Sequence, residues 1–211
     1  MPANWQIIVA SLQELYPDAH CELVYANPFQ LLIATILSAQ CTDERVNKVT
    51  PLLFAKYPQA ADLGAVSQEE LEKLIKSCGL FRSKAKNIIA CCQKLCELYD
   101  CAVPANLDHL QELPGVGRKT ANVVGYNAFG IPAMAVDTHV FRVARRLGMA
   151  SGTTPDAVEK DLTAVLPSEL WGPGHHLLIW HGRRMCTAKR PNCDACPLQA
   201  ECMHIKGLGS E

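Results

Sequence analysis

The chain has 211 residues, 49% of them hydrophobic, and a formal net charge of −1. This is the make-up of a soluble globular chain, long enough to bury about 70% of its unfolded surface without staples. The longest strongly apolar run, Leu31 to Leu37, is far short of the ~20 residues of a membrane span, and no basic residue precedes the apolar positions of Met1 to Tyr16, so neither a membrane segment nor a secretory leader is expected.

The near-neutral total argues against a uniformly basic nucleic-acid binder, but the charge is uneven. Lys73, Lys76, Arg82, Lys84, Lys86 and Lys94 form one acid-free run. Arg118, Lys119, Arg142, Arg145 and Arg146 form a second, against Asp137 alone, and Arg183, Arg184, Lys189 and Arg190 a third. Each run reads either as a solvated face or as part of a binding surface, the latter only if the three meet. Cysteine usage is high, at eleven. Cys21, Cys41, Cys78, Cys91, Cys92, Cys96 and Cys101 are scattered and, with no export signal, are expected as reduced thiols.

In chain order, the pattern predicts helices joined by short punctuation, an all-α class. Phe29 to Gln40 is apolar on nearly every side and reads as a buried helix. Ser67-Gln68-Glu69-Glu70 is a capping box opening a short helix, which Gly79-Leu80 stops, with glycine in the left-handed position. Arg82 to Tyr99 is a long amphipathic helix and Leu107 to Glu112 a short one. Thr154-Pro155-Asp156 is a helix start with proline in the first turn, and Pro167, Pro173 and Gly174 separate the last elements.

The segment Leu113-Pro114-Gly115-Val116-Gly117-Arg118-Lys119-Thr120 carries the most chemistry. Two glycines leave the backbone uncovered where a new helix exposes its free N–H groups. Such an end attracts a phosphate through donors and dipole together; the alternative is a plain helix–helix turn. Lys119 stands three residues after Val116 and four before Val123, on or beside the apolar stripe. Desolvation there would raise its free-amine fraction and suit it to Schiff-base chemistry, unless its stem lies on apolar surface with the ammonium in water. Asp137, before Thr138-His139-Val140, is a favoured N-cap, with a second carboxylate oxygen left for a cleft. Gly125, inside the hairpin helix, costs about 1 kcal/mol relative to alanine and has no functional account at this level.

Cys186, Cys193, Cys196 and Cys202 are separated by six, two and five residues. Four thiolates in one loop can enclose a [4Fe–4S] cluster. Zinc is the rival, although its sites often use two close pairs and only Cys193 and Cys196 make one. Lys189 and Arg190 lie in the first interval, so a cluster would hold a basic loop in shape for a phosphate backbone. His175, His176 and His181, just upstream, read as structural, with zinc ligation the lesser alternative.

These residues together resemble the endonuclease III family of helix-hairpin-helix DNA glycosylases. The markers are Ser38-Ala39-Gln40-Cys41-Thr42-Asp43, Gly79-Leu80, Leu113 to Val124, Ala135-Val136-Asp137-Thr138-His139 and the C-x6-C-x2-C-x5-C tail, and they span almost the whole chain. The resemblance implies two helical lobes: a six-helix barrel over 22–131 with the hairpin, and residues 1–21 with 132–211 carrying a [4Fe–4S] cluster on the four cysteines. It implies base-excision repair of duplex DNA bearing damaged bases or abasic sites, with oxidised or ring-saturated pyrimidines removed and the strand cut by β-elimination. Lys119 and Asp137 would be catalytic, facing each other across a cleft. Gln40 and Leu80, which by themselves read as a helix-end glutamine and a capping hydrophobe, would fill the gap left by a flipped nucleotide. Gly115, Gly117, Arg118, Lys189 and Arg190 would hold the DNA backbone. A cytoplasmic, nucleoid-associated monomer is expected. The related adenine mismatch glycosylases lack the hairpin lysine and add a C-terminal domain, so Lys119 and the short tail after Cys202 favour the bifunctional pyrimidine enzymes. A DNA-binding module without catalysis and a monofunctional glycosylase are the competing readings, and Lys119 separates them.

Overall fold

The computed structural model describes residues 4–207, and its regular elements are helices: α1 (Trp5–Leu15), α2 (Pro28–Ser38), α3 (Asp43–Lys56), α4 (Ala60–Ala65), α5 (Gln68–Ile75), α6 (Phe81–Leu98), α7 (Leu107–Gln111), α8 (Arg118–Phe129), α9 (Thr138–Leu147), α10 (Pro155–Val165) and α11 (Trp171–Arg184), with a 3-10 turn at Ser168–Leu170. The chain divides into two compact units. One is Glu22–Ile131; the other joins Met1–Cys21 to Pro132–Glu211. Residues 1–3 and 208–211, at the ends of the second expected lobe, lie outside the described residues. Among the described residues no helix is long and apolar enough to cross a membrane.

In the unit Glu22–Ile131, α2 is the central rod. The Asn27 side chain accepts from the Gln30 amide at 2.9 Å, and Pro28 follows at the first helical position. Phe29 and all of Leu31 to Leu37 are buried, as the all-round apolar pattern requires. The helix packs on α3, α6 and α8. It stops at Ser38, short of Gln40, because Ala39 leaves the helical region with ψ 117°; Gln40 follows with a left-handed backbone at φ 52°.

The start of α5 is only half a capping box. Ser67 accepts from the Glu70 amide at 3.3 Å, but the Glu70 carboxylate turns to Lys56 and to the Tyr57 hydroxyl, the latter at 2.7 Å. The expected left-handed Gly79 is corrected too: the left-handed residue is Leu80, at φ 56° and ψ 31°. Gly79 serves a close approach instead, since a Cβ there would lie 3.1 Å from the Gln40 carbonyl oxygen.

The expectation that all scattered cysteines are reduced fails for one pair. Cys96 and Cys101 are joined in a disulfide. The cause is local. Asp100 and Cys101 take φ of 50° and 58°, and the Cys101 amide donates back to the Leu95 carbonyl at 3.1 Å. That reversal folds Cys101 onto the last turn of α6, where Cys96 stands. Cys91 and Cys92 are fully buried in the same helix, and burial pushes the Cys91 thiol up to about 12, which makes it inert at neutral pH.

The other unit closes a core of Ile8, Leu12, Val140, Val143, Leu147 and Leu162 between α1, α9, α10 and α11. Gly182 lets α11 lie close on α9, since a Cβ there would come within 3.0 Å of the His139 Cβ. Pro173 and Gly174 do not separate elements. They sit in the first turn of α11, where a proline costs no helical hydrogen bond.

Candidate functional site

The hairpin runs from α7 through Leu113–Gly117 into α8. The Val116 amide closes the turn on the Leu113 carbonyl at 3.0 Å, and Lys94 Nζ donates to the Glu112 carbonyl at 2.9 Å. Gly115 has φ 78°, the left-handed region that favours glycine, and a Cβ there would lie 2.8 Å from the Asn87 Cβ. Gly117 differs: a Cβ would meet nothing within 4 Å, and no side chain caps α8. Packing does not demand a glycine at 117; an uncovered, exposed backbone at the positive end of a helix is what it provides.

Lys119 is in the first turn of α8 and is exposed, as is Arg118 beside it. The expected desolvation is therefore absent. The buried residues of α8, Ala121 to Gly125, begin two positions later, so the first turn projects its side chains into water.

Asp137 is the N-cap of α9. Its Oδ1 accepts from the amides of both His139 and Val140 at 2.8 Å, while Oδ2 takes no part in the cap.

Gln40 and Leu80 are exposed, Leu80 by 60%, on two neighbouring turns of Glu22–Ile131. Both residues have positive φ, which is strained for side chains of their size. The turns touch at Gly79 and the Gln40 carbonyl.

The four C-terminal cysteines line one pocket together with Arg146, His181, Met185, Pro191 and His204. Among the described residues, no three His, Cys, Asp or Glu side chains converge closely enough to hold a single ion. Arg146 pins the loop that follows Cys186, donating to the Thr187 carbonyl at 2.9 Å, to the Ala188 carbonyl at 3.1 Å and to the Cys186 sulfur at 3.5 Å. Arg142 holds the Gly182 and Cys186 carbonyls at 2.9 and 3.0 Å, at the end of α11. Lys189 and Arg190 are exposed on that loop.

Residues 33–168 match the family described as HhH-GPD superfamily base excision DNA repair protein, and residues 186–202 match the iron–sulfur binding domain of endonuclease III. The chain is 51% identical to endonuclease III of Synechocystis over 92% of its length and 90% of that protein. It is 52% identical to that of Bacillus subtilis, covering 90% and 87%, and 45% identical to that of Escherichia coli, covering 92% of each. A trapped covalent endonuclease III–DNA intermediate superposes with a TM-score of 0.94 at 50% identity, covering 98% and 99% of the two chains.

The chain belongs to the endonuclease III family. It is a base-excision DNA repair enzyme of the glycosylase–lyase type, and its cofactor is a [4Fe–4S] cluster. The residues around the endonuclease III tail fit that group. The donor set is four sulfurs around one pocket, with the Arg146 cation against the Cys186 sulfur, the all-thiolate set a cluster takes.

Sequence patterns missed three features of this site. Lys84, counted in a basic run, is buried, and its Nζ donates at 2.7 Å to the Leu37 carbonyl at the end of α2. Arg142 and Arg146, from the second run, are spent on backbone carbonyls in the same way. His181 is buried between the Tyr16 hydroxyl, 3.3 Å from Nδ1, and the Cys196 sulfur, 3.7 Å from Nε2. Burial pushes it down to about 4, so it is neutral beside the Cys196 sulfur. A cation at a helix C-terminus is a recognisable signal, but its partner helix lies too far along the chain to be named from sequence.

Proposed function

We propose that Lys119 is the nucleophile that removes oxidised or ring-saturated pyrimidines from duplex DNA and then cuts the strand. The observation that carries this reading is the coincidence, in one turn of helix, of uncapped backbone donors at Gly117 and an exposed primary amine at Lys119. A DNA phosphate held on the donors brings the sugar of a flipped nucleotide within reach of the amine. The amine, once deprotonated, forms a bond to C1′ as the bond from C1′ to the base breaks. Asp137 Oδ2 accepts the proton or steadies the charge developing on the sugar, while Oδ1 keeps the helix capped. The lysine nitrogen then expels the ring oxygen O4′, which takes up a proton, and the Schiff base so formed acidifies C2′; loss of that proton expels the 3′ phosphate and nicks the strand.

Gln40 and Leu80, both exposed, fill the space the nucleotide leaves, from turns in which each has a positive φ. Gly115 and Arg118 complete the hairpin's hold on the backbone. Cys186, Cys193, Cys196 and Cys202 hold the cluster, which supplies a rigid core for the loop presenting Lys189 and Arg190 to phosphates. The protein acts as a cytoplasmic monomer on the nucleoid.

Borohydride reduction with an end-labelled duplex carrying one abasic site tests the central step. The wild-type protein should give a covalent adduct, and Lys119→Gln, still folded and yellow-brown from its cluster, should give none. An adduct of wild-type yield from the variant would remove Lys119 from the chemistry.

A further inference from the structure

We propose that Cys41 and Cys78 form a redox modification site, a dithiol that a low-molecular-weight disulfide converts into an intramolecular disulfide joining the turn that bears Gln40 to the turn that bears Leu80. The two turns already touch, since the Gln40 carbonyl oxygen would lie 3.1 Å from any Cβ on Gly79. Each cysteine is held by its own turn: the Cys41 amide donates to the Ser38 carbonyl at 3.0 Å, and the Cys78 amide to the Ile75 carbonyl at 2.8 Å. Cys41 directly follows Gln40 and Cys78 directly precedes Gly79, so the contact between the two turns brings the two cysteines close together. Lys84 faces both thiols while its Nζ is anchored on the Leu37 carbonyl at 2.7 Å, and Arg45 adds positive charge on the Cys78 side. At Cys78 burial, which pushes the thiol up, outweighs these cations, which pull it down; the thiolate is the attacking species in exchange. The fully buried Cys91 and Cys92 have no cation among the influences on them.

Exposure sets the order of steps. Cys41 is partly exposed and meets the oxidant, whereas Cys78 is fully buried and its thiol is pushed up to about 11. The Cys41 thiolate attacks one sulfur of the small disulfide, forming a mixed disulfide and releasing one thiol. Cys78 then loses its proton and attacks the Cys41 sulfur, and the second small thiol leaves. Two protein thiols are oxidised and one small disulfide is reduced to two thiols.

The cross-link fixes the spacing between the side chains of Gln40 and Leu80. Its effect on DNA rests on the proposed role of those two residues; the chemistry of the site does not. Cluster-loaded protein, oxidised with glutathione disulfide and followed at 400 nm to confirm the cluster, should yield a Cys41–Cys78 cross-linked peptide on non-reducing digestion. Its affinity for a lesion duplex should fall severalfold and return with dithiothreitol, while Cys41→Ser should hold the reduced affinity throughout; Cys78→Ala gives a second variant with the same expectation. The Cys96–Cys101 bond is present before oxidation and serves only as the reference peptide. Cys41 and Cys78 that stay free, read by alkylation after exposure to excess glutathione disulfide, overturn the site. A cross-linked peptide with unchanged affinity overturns the regulation. Reduced Gln40→Ala and Leu80→Ala variants that bind the lesion normally would count against the gap-filling role alone and leave the cross-linked peptide standing.

Discussion

Asp137 shows how one residue can serve stability and chemistry with separate atoms. Both cap bonds end on Oδ1, so removing the charge and removing the cap are separable. Asp137→Asn retains a good capping oxygen; base excision should fall far more than DNA binding or thermal stability, compared by single-turnover assay, binding titration and melting. Asp137→Ala should in addition lose about 1 kcal/mol of stability, read from urea denaturation. Equal loss of excision and binding in the asparagine variant would make Asp137 a structural cap only. Lys119 makes the complementary point. It is exposed in the free protein, so it is the bound DNA that covers it.

At the scale of elements, the hairpin depends on how closely α7 can approach α8. A Cβ on Gly125 would lie 2.3 Å from Leu107 Cδ2, so the glycine that weakens α8 by itself is what admits the short α7. Gly125→Ala gains about 1 kcal/mol of helix propensity but forces the Leu107 side chain aside, and overpacking of this kind costs roughly 1–3 kcal/mol. The variant should be less stable by up to about 2 kcal/mol in denaturant titration and should bind DNA more weakly as α7 shifts. Leu107→Ala, combined with it, should recover part of the loss by making room for the added methyl. A second regularity concerns helix ends: Lys84 at α2, Lys94 beyond α7 and Arg142 at α11 each give their cation to terminal carbonyls. Positive charge there is favoured by the helix dipole and is withdrawn from the surface available to DNA.

Across the whole molecule, stability should depend on pH through its buried histidines. Burial, with His20 nearby, pushes His176 down to about 4 from an ordinary value of 6.5. The folded state keeps it neutral while the unfolded chain takes up a proton below 6.5. Its contribution is therefore complete above about pH 6.5 and is lost as pH falls toward 4, up to about 3 kcal/mol. Urea unfolding at pH 7, 6 and 5 should show the decline, and His176→Gln should make it shallower, leaving the share of His181, which burial also pushes down to about 4. An equally steep decline in the variant would assign it to other groups.

Periodicity and punctuation alone made the helical class legible, because a buried rod such as α2 and a capped start such as Thr154 leave local marks. The hairpin and the cysteine tail were legible for the same reason: phosphate-binding turns and cluster loops are built from neighbours in sequence. What local pattern could not decide were matters of distance along the chain. Lys119 looked half-buried until the position of the covered part of α8 was known. Gly79 looked like a helix stop until the Gln40 carbonyl was found against it. Cys96 and Cys101 looked reduced until a backbone reversal brought them together, and Cys41 and Cys78, thirty-seven positions apart, became a pair only through packing. The sequence by itself determined which chemical groups this repair enzyme possesses; the tertiary structure decided which of them are covered, paired or spent on carbonyls, because burial and close contact are properties of the packed chain.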